Sequence, residues 1–314
     1  MRLAEGPLGE LVTILTEAGR QLDGIYYHVP VERATGTVIH VHGSFGNFYH
    51  NSFLRVMAGV YQDAGLAFLS FNLSCHDGLA EGYVGVDDFE YVGGAVTGFR
   101  SSLAEIDAAI SLAKARLERP VVLQGHSLGC DRVLYYLTER TGRLDFVLLS
   151  PCDSYALQSR WMAPETVETQ IERLRTGAPA AGTEAAAGLE SRYLRTSVEA
   201  LEWLPLREYG IRCGDWSYPI PITRGALLEI LTGPPLRLLR LDTTEGFRIS
   251  GHGFVYIGGA DALQTSEAEL MFRHLEARAD SIQRMFVKKG DHGLLGCEAQ
   301  VARAVVEWSK RRGG

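Results

Sequence analysis

The chain has 314 residues, 46% of them hydrophobic, enough to bury a substantial core and to carry an insertion besides. Its formal net charge of -7 leaves no broad basic field for a phosphate backbone, which argues against nucleic acid as a partner. No apolar run reaches the roughly 18 to 20 residues that span a bilayer, and the opening MRLAEGPLGE lacks the basic-then-apolar layout of a signal peptide, so a cytoplasmic protein without a membrane span is expected.

Leu11 to Thr16 and Leu22 to Val29, separated by EAGRQ, read as an antiparallel hairpin. TVIHVHG (37–43) and AFLSFNL (67–73) are β-rich apolar runs too short for helices and suited to strands covered on both faces. Between them Phe53, Val56, Met57 and Val60 recur at three- and four-residue steps, a helix over Ser52 to Ala64 that Gly65 stops. The next 25 residues or so, DGLAEGYVGVDDFEYVGGAVTGFRS, are rich in Gly and acidic residues and read as a long loop, a feature that in compact domains is usually functional or disordered. Leu103, Ile106, Ile110, Ala113 and Leu117 then mark one helical face, PVVLQGHS the next strand, Asp131 to Thr141 a helix, and DFVLLSP (145–151) a further strand.

After Pro151 the alternation of strand and helix fails for about a hundred residues, through amphipathic helical segments, the run GAPAAGTEAAAG (177–188) and Trp161, Trp203 and Trp216. It returns with GFVYIGGAD (253–261), a helix around Ser266 to Ala277, the strand SIQRMFVKKGDH, and a last helix with Val301, Val305 and Trp308 on one face. Neither half has a complete sheet alone. The pattern therefore predicts an α/β core made of 1–151 and 251–314, with a mostly parallel sheet flanked by helices, interrupted by a mainly helical inserted cap at 152–250.

Gly125-His126-Ser127-Leu128-Gly129 fits G-x-S-x-G at the place where a strand must turn sharply into a helix. The glycines relieve a cramped turn, and the serine at its tip is left exposed. The Leu128 N–H, at the start of the helix, has no intrahelical partner and lies at the positive end of the helix dipole, ready to receive an oxyanion.

With these residues the chain resembles the α/β-hydrolase superfamily over nearly all of its length except the cap. The resemblance implies that Ser127 is a nucleophile, and that the backbone N–H of Ser44, in His42-Gly43-Ser44, completes an oxyanion hole with Leu128. It also implies a histidine in a loop before the last helix, where His292 stands in KKGDHG, and an acid after a late strand, where Asp261 ends GFVYIGGAD. Asp153 in SPCDSY is a rival acid from the preceding strand, and Asp291 ranks behind both. A serine at the elbow, in place of the aspartate that dehalogenases and epoxide hydrolases need, points to an acyl-enzyme. The expected substrate is a small, largely apolar carboxylic ester, thioester or amide. Whether water, an alcohol or an amine accepts the acyl group stays open, as does a non-hydrolytic lyase or binding role on the same fold, and the oligomeric state is not readable. The string WSYPIPITRGALLEIL in the cap is faintly similar to capped siderophore esterases.

Many superfamily members follow the fourth strand with an arginine-glycine pair, where this chain has Ser74 and Cys75 in FNLSCHDG, a change at a loop anchor near the pocket. Five scattered cysteines without CxxC spacing read as reduced, buried thiols. No cofactor or metal is expected; the one tight ligand pair is His40 with His42, and His42 belongs to the turn that the resemblance makes the oxyanion hole.

Overall fold

The apolar runs pair into one eight-stranded sheet in a computed structural model that describes residues 6–86, 88–152, 166–176, 211–213, 216–218, 223–232, 248–261, 263 and 268–312. The first half of the chain supplies β1 (Glu10–Leu15), β2 (Gln21–Tyr27), β3 (Gly36–Val41), α1 (Ser52–Asp63), β4 (Leu66–Phe71), β5 (Ala80–Val84), β6 (Asp88–Val92), α2 (Ser102–Arg116), β7 (Val121–His126), α3 (Leu128–Glu139) and β8 (Asp145–Leu149). Then come α4 (Val167–Thr176), β9 (Ile211–Cys213), β10 (Trp216–Tyr218), α5 (Arg224–Thr232), β11 (Ile249–Gly258), α6 (Ala268–Arg278), β12 (Ala279–Val287) and α7 (Glu298–Lys310).

The sheet runs β1-β2-β4-β3-β7-β8-β11-β12. Its β1–β2 and β2–β4 pairs are antiparallel, and every later pair is parallel. Because strand side chains alternate, each central strand feeds two cores. Ile39, Val41, Phe146, Leu148, Val255 and Ile257 point to the side of α2, α3 and α6. Val38, Val147, Leu149, Phe254 and Tyr256 point to the side of α1 and α7, where Trp308 is 1% exposed. Among the described residues no helix is long and apolar enough to cross a membrane.

Strands β8 and β11 are hydrogen-bonded neighbours, Phe146 opposite Gly253 and Leu149 opposite Tyr256, although residues 150–248 separate them in the chain. Of that stretch the described helices and strands are α4, the antiparallel pair β9–β10, and α5. Trp161, Tyr193, Trp203, Tyr209 and the run at 177–188 lie outside the described residues, while Trp216 and Tyr218 belong to β10. Thr223 caps α5, its Oγ1 accepting from the Ala226 N–H at 3.2 Å. The helix is tied to the core at residues 95–100: the Thr223 N–H donates to the Ala95 carbonyl at 2.8 Å, and the Arg100 N–H to Glu229 Oε1 at 2.7 Å.

Three sequence expectations need correction. The segment read as one long loop contains the β5–β6 hairpin, with Tyr83 opposite Phe89. Its Gly and acidic residues masked strands whose exposed outer positions do not show an apolar run. Helix α3 starts at Leu128, three residues before Asp131, because the elbow itself begins the helix. Strand β11 begins at Ile249, and a register shift between Ile249 and His252 absorbs the irregular ISGHG, where Gly251 sits at φ +155°.

Candidate active site

The loops after β3, β4, β7, β8 and β12 emerge along the carboxyl edge of the sheet, where open parallel sheets place their ligands. Each carries one non-glycine residue at positive φ: Phe45 at 53°, Asp77 at 53°, Ser127 at 53°, Ser150 at 49° and Leu294 at 60°. Among the described residues these are all the non-glycine residues of that kind, so backbone strain is concentrated on one edge. Strain of this sort costs of order 1–3 kcal/mol per residue and persists where the surroundings over-determine it.

At Ser127 the surroundings are glycines. A Cβ on Gly129 would lie 2.1 Å from the Val41 carbonyl oxygen, and one on Gly125 would lie 2.5 Å from the Gly129 oxygen. The turn therefore closes only with hydrogen at both positions. Ser127 itself, at ψ −127°, is half-buried at the N-cap of α3, with its N–H donating to the Leu149 carbonyl at 3.0 Å. The Gly43 turn packs directly on it, since a Cβ there would lie 2.9 Å from Ser127 Cβ. The Gly46 N–H closes that turn onto the Gly43 carbonyl at 3.2 Å and leaves Ser44 exposed at its crest.

His42 holds the turn from beneath. Its Nδ1–H donates to the Gly43 carbonyl at 2.8 Å, and its Nε2 accepts from the Leu73 N–H at 3.0 Å. Those two bonds require a neutral ring, and burial pulls its pKa down to about 3, with the nearby Arg132 cation acting in the same direction. Both nitrogens are thus engaged by the main chain. Arg132, 3% exposed, stacks over the Phe99 ring with its guanidinium carbon 4.7 Å from the centroid.

Across the elbow, His292 Nδ1 and Asp261 Oδ2 are 2.9 Å apart. A carboxylate accepts, so Nδ1 carries the hydrogen and Nε2 is the bare nitrogen. The Asp261 side chain is fully buried and its Oδ1 also accepts from the Leu263 N–H at 2.9 Å, whereas the His292 side chain is 25% exposed. The GGAD and KKGDH segments of the sequence acquire a reason here. The Ala260 N–H donates to the Gly290 carbonyl at 2.9 Å, and a Cβ on Gly258 would lie 2.3 Å from that same oxygen, so the two loops meet at glycine distance. Ser127 Oγ and His292 are not hydrogen bonded to each other in this structure. Instead His126, the residue before the serine, places Nε2 2.8 Å from the His292 carbonyl.

Of the rival acids, Asp153 lies outside the described residues, and Asp291 turns back on its own loop, its Oδ1 accepting from the Leu295 N–H at 2.8 Å. Cys75, Cys130 and Cys297 are free and buried, and burial raises the Cys75 thiol to about 11, far from a reactive thiolate. The Ser74-Cys75 anchor is rebuilt by a residue that sequence reasoning missed. Buried Glu105 of α2 accepts from the Ser74 N–H at 3.1 Å, from the Ser74 hydroxyl, and from Arg20 Nη1 at 3.1 Å.

These features define a class of architecture: the chain has the α/β-hydrolase fold. Solved structures similar to it include the esterase Pf2001 from Pyrococcus furiosus, at 14% identity and TM-score 0.58, covering 98% of this chain and 91% of that one. The siderophore hydrolase EstB from Aspergillus fumigatus is similar at 17% identity and TM-score 0.59, covering 96% and 97%. Est1E from Butyrivibrio proteoclasticus is similar at 15% identity and TM-score 0.57, covering 98% of both chains. No family model and no curated protein sequence matches the chain.

Proposed function

We propose that the chain is a serine hydrolase acting through an acyl-enzyme on a carboxylic ester, thioester or amide of a small, largely apolar molecule. The observation that carries this reading is the 2.9 Å bond between His292 and buried Asp261, beside a strained serine elbow at φ 53°. The similar solved structures, esterases and a siderophore hydrolase among them, agree with ester chemistry, and a second structure of Est1E holds ferulic acid.

In this reading Ser127 Oγ attacks the substrate carbonyl carbon while its proton passes to His292 Nε2. Asp261 fixes the tautomer and stabilises the imidazolium. The carbonyl electrons move onto oxygen, which the backbone N–H groups of Leu128 and Ser44 receive. Collapse expels the alcohol, thiol or amine with the proton from His292, and water, deprotonated by the same nitrogen, then cleaves the acyl-serine. The Ser127–His292 hydrogen bond is of the kind that forms in the substrate complex. Residues 152–248 act as a cap over this edge, anchored through α5, and the protein works in the cytoplasm without a resident metal or cofactor.

A fluorophosphonate probe tests the reading. Wild-type protein should label and hydrolyse short acyl esters, and Ser127→Ala should lose both. Labelling that survives in Ser127→Ala would remove Ser127 as the nucleophile.

A further inference from the structure

We infer that His126, the variable residue of the elbow pentapeptide, is a positioning residue that holds the His292 loop against the nucleophile's strand through its Nε2–H. The inference rests on the assignment of His292 as the base.

The bond is geometric before it is functional. A backbone carbonyl only accepts, so the 2.8 Å contact between His126 Nε2 and the His292 oxygen puts the hydrogen on Nε2. The side chain that makes it cannot wander. His126 is 6% exposed, and its ring lies between Phe53 of α1, with centroids 4.9 Å apart, and His292, with centroids 5.0 Å apart. Phe53 is itself 1% exposed and meets His40 edge-on at 5.7 Å. A packed column therefore runs from β3 through α1 to the elbow and ends on the proposed base.

The other bonds of the His292 loop lead elsewhere. Gly290 is held by Ala260, Asp291 receives the Tyr256 hydroxyl at its carbonyl, and Leu295 closes onto Asp291, all of them on the β11 side or within the loop. Among the described residues, His126 supplies the hydrogen bond that ties this loop to β7, across 166 positions of sequence. Since His126 is covalently joined to Ser127, one rigid side chain sets the span from nucleophile to base. Its neutrality serves the same end, because a second cation at ring-contact distance would oppose formation of an imidazolium on His292.

Three variants separate donor from ring. His126→Gln keeps a donor near the place of Nε2, His126→Phe keeps the ring without a donor, and His126→Asn is too short to reach. We expect His126→Phe and His126→Asn to lower kcat about 10- to 100-fold with KM within about twofold, the scale of a small misplacement of reacting groups, and His126→Gln to stay within about threefold of wild type. The downfield proton resonance of the Nδ1–H shared by His292 and Asp261 should stay sharp in wild type and His126→Gln and broaden in the other two. The inference is overturned if His126→Phe keeps both kcat and the resonance, or if His126→Gln, folded by circular dichroism, falls as far as His126→Phe. The resonance needs no turnover and no Ser127, so it reads the role of His126 even where Ser127→Ala has removed the proposed hydrolase chemistry.

Discussion

The turn after β3 and the loop after β12 both carry a histidine to the same edge of the sheet, and the two rings are used in opposite ways. His42 is fully buried and spends both nitrogens on main-chain groups, Gly43 and Leu73. His292 is partly exposed, gives Nδ1 to a buried carboxylate, and has no partner for Nε2 among the described residues. A ring with both nitrogens committed can only hold a turn in place, whereas one with an acidic partner on one side and a spare nitrogen on the other can take a proton. Two of the buried carboxylates differ in the same manner. Glu105 accepts from Ser74 and Arg20, while Asp261 accepts from the histidine ring.

The largest effects should separate the two histidines. His292→Gln and Asp261→Asn should each lower kcat by roughly 10⁴-fold, since the first removes the proposed base and the second permits the wrong tautomer. His42→Gln should instead show itself in stability, lowering the urea-unfolding free energy by about 1–3 kcal/mol as the Gly43 and Leu73 groups lose a well-placed partner. An equal fall in turnover from His42→Gln at unchanged stability would erase the distinction.

Steric and ionic tests come next in size. Gly129→Ala should destabilise by about 3 kcal/mol or more, at the upper end of overpacking costs, because its Cβ would meet backbone that cannot yield at 2.1 Å. Glu105→Gln should cost about 2–3 kcal/mol, less than a fully buried ion pair, since Arg20 is 26% exposed. Its kcat should stay within about threefold of wild type, because the group anchors a loop and faces no reacting atom. A larger loss of turnover than of stability would move Glu105 from the loop anchor to the site.

The elements of the site that were legible in the sequence are those built from local rules. The elbow follows from a strand, two glycines and a helix in immediate succession, and the 3.6-residue period gave α1, α2 and α7 within a few residues. What escaped is non-local. Nothing near Ser74 announces Glu105, and nothing in GHSLG announces that His126 will reach a carbonyl 166 residues away. The β5–β6 hairpin escaped for a different reason: exposed Tyr83 and Phe89 leave it without the buried face from which strands are read.

The last effect concerns pH and tests whether the buried histidines are neutral. Burial holds His42 and His126 at about 3, with His292 acting on His126 in the same direction, whereas both would titrate near 6.5 in the unfolded chain. Above pH 6.5 neither state binds these protons, and their neutral burial costs nothing. Between 6.5 and about 3 the unfolded chain takes them up and the folded chain does not, so stability falls as pH falls, by up to about 1.4 kcal/mol per pH unit for each histidine. Below about 3 the folded rings protonate as well and the slope ends. Fully buried His40, shifted down by its own burial, adds to the trend. Carboxylates contribute to acid unfolding too, but they are common to wild type and His126→Gln, so the difference between the two isolates one ring. His126→Gln should therefore lose stability more slowly between pH 6.5 and 4, by about 1.4 kcal/mol per pH unit, in urea titrations of both proteins. Parallel curves would mean that His126 takes up its proton in the folded protein as readily as in the unfolded chain, and the contrast between buried neutral rings and the proposed base would no longer apply to it.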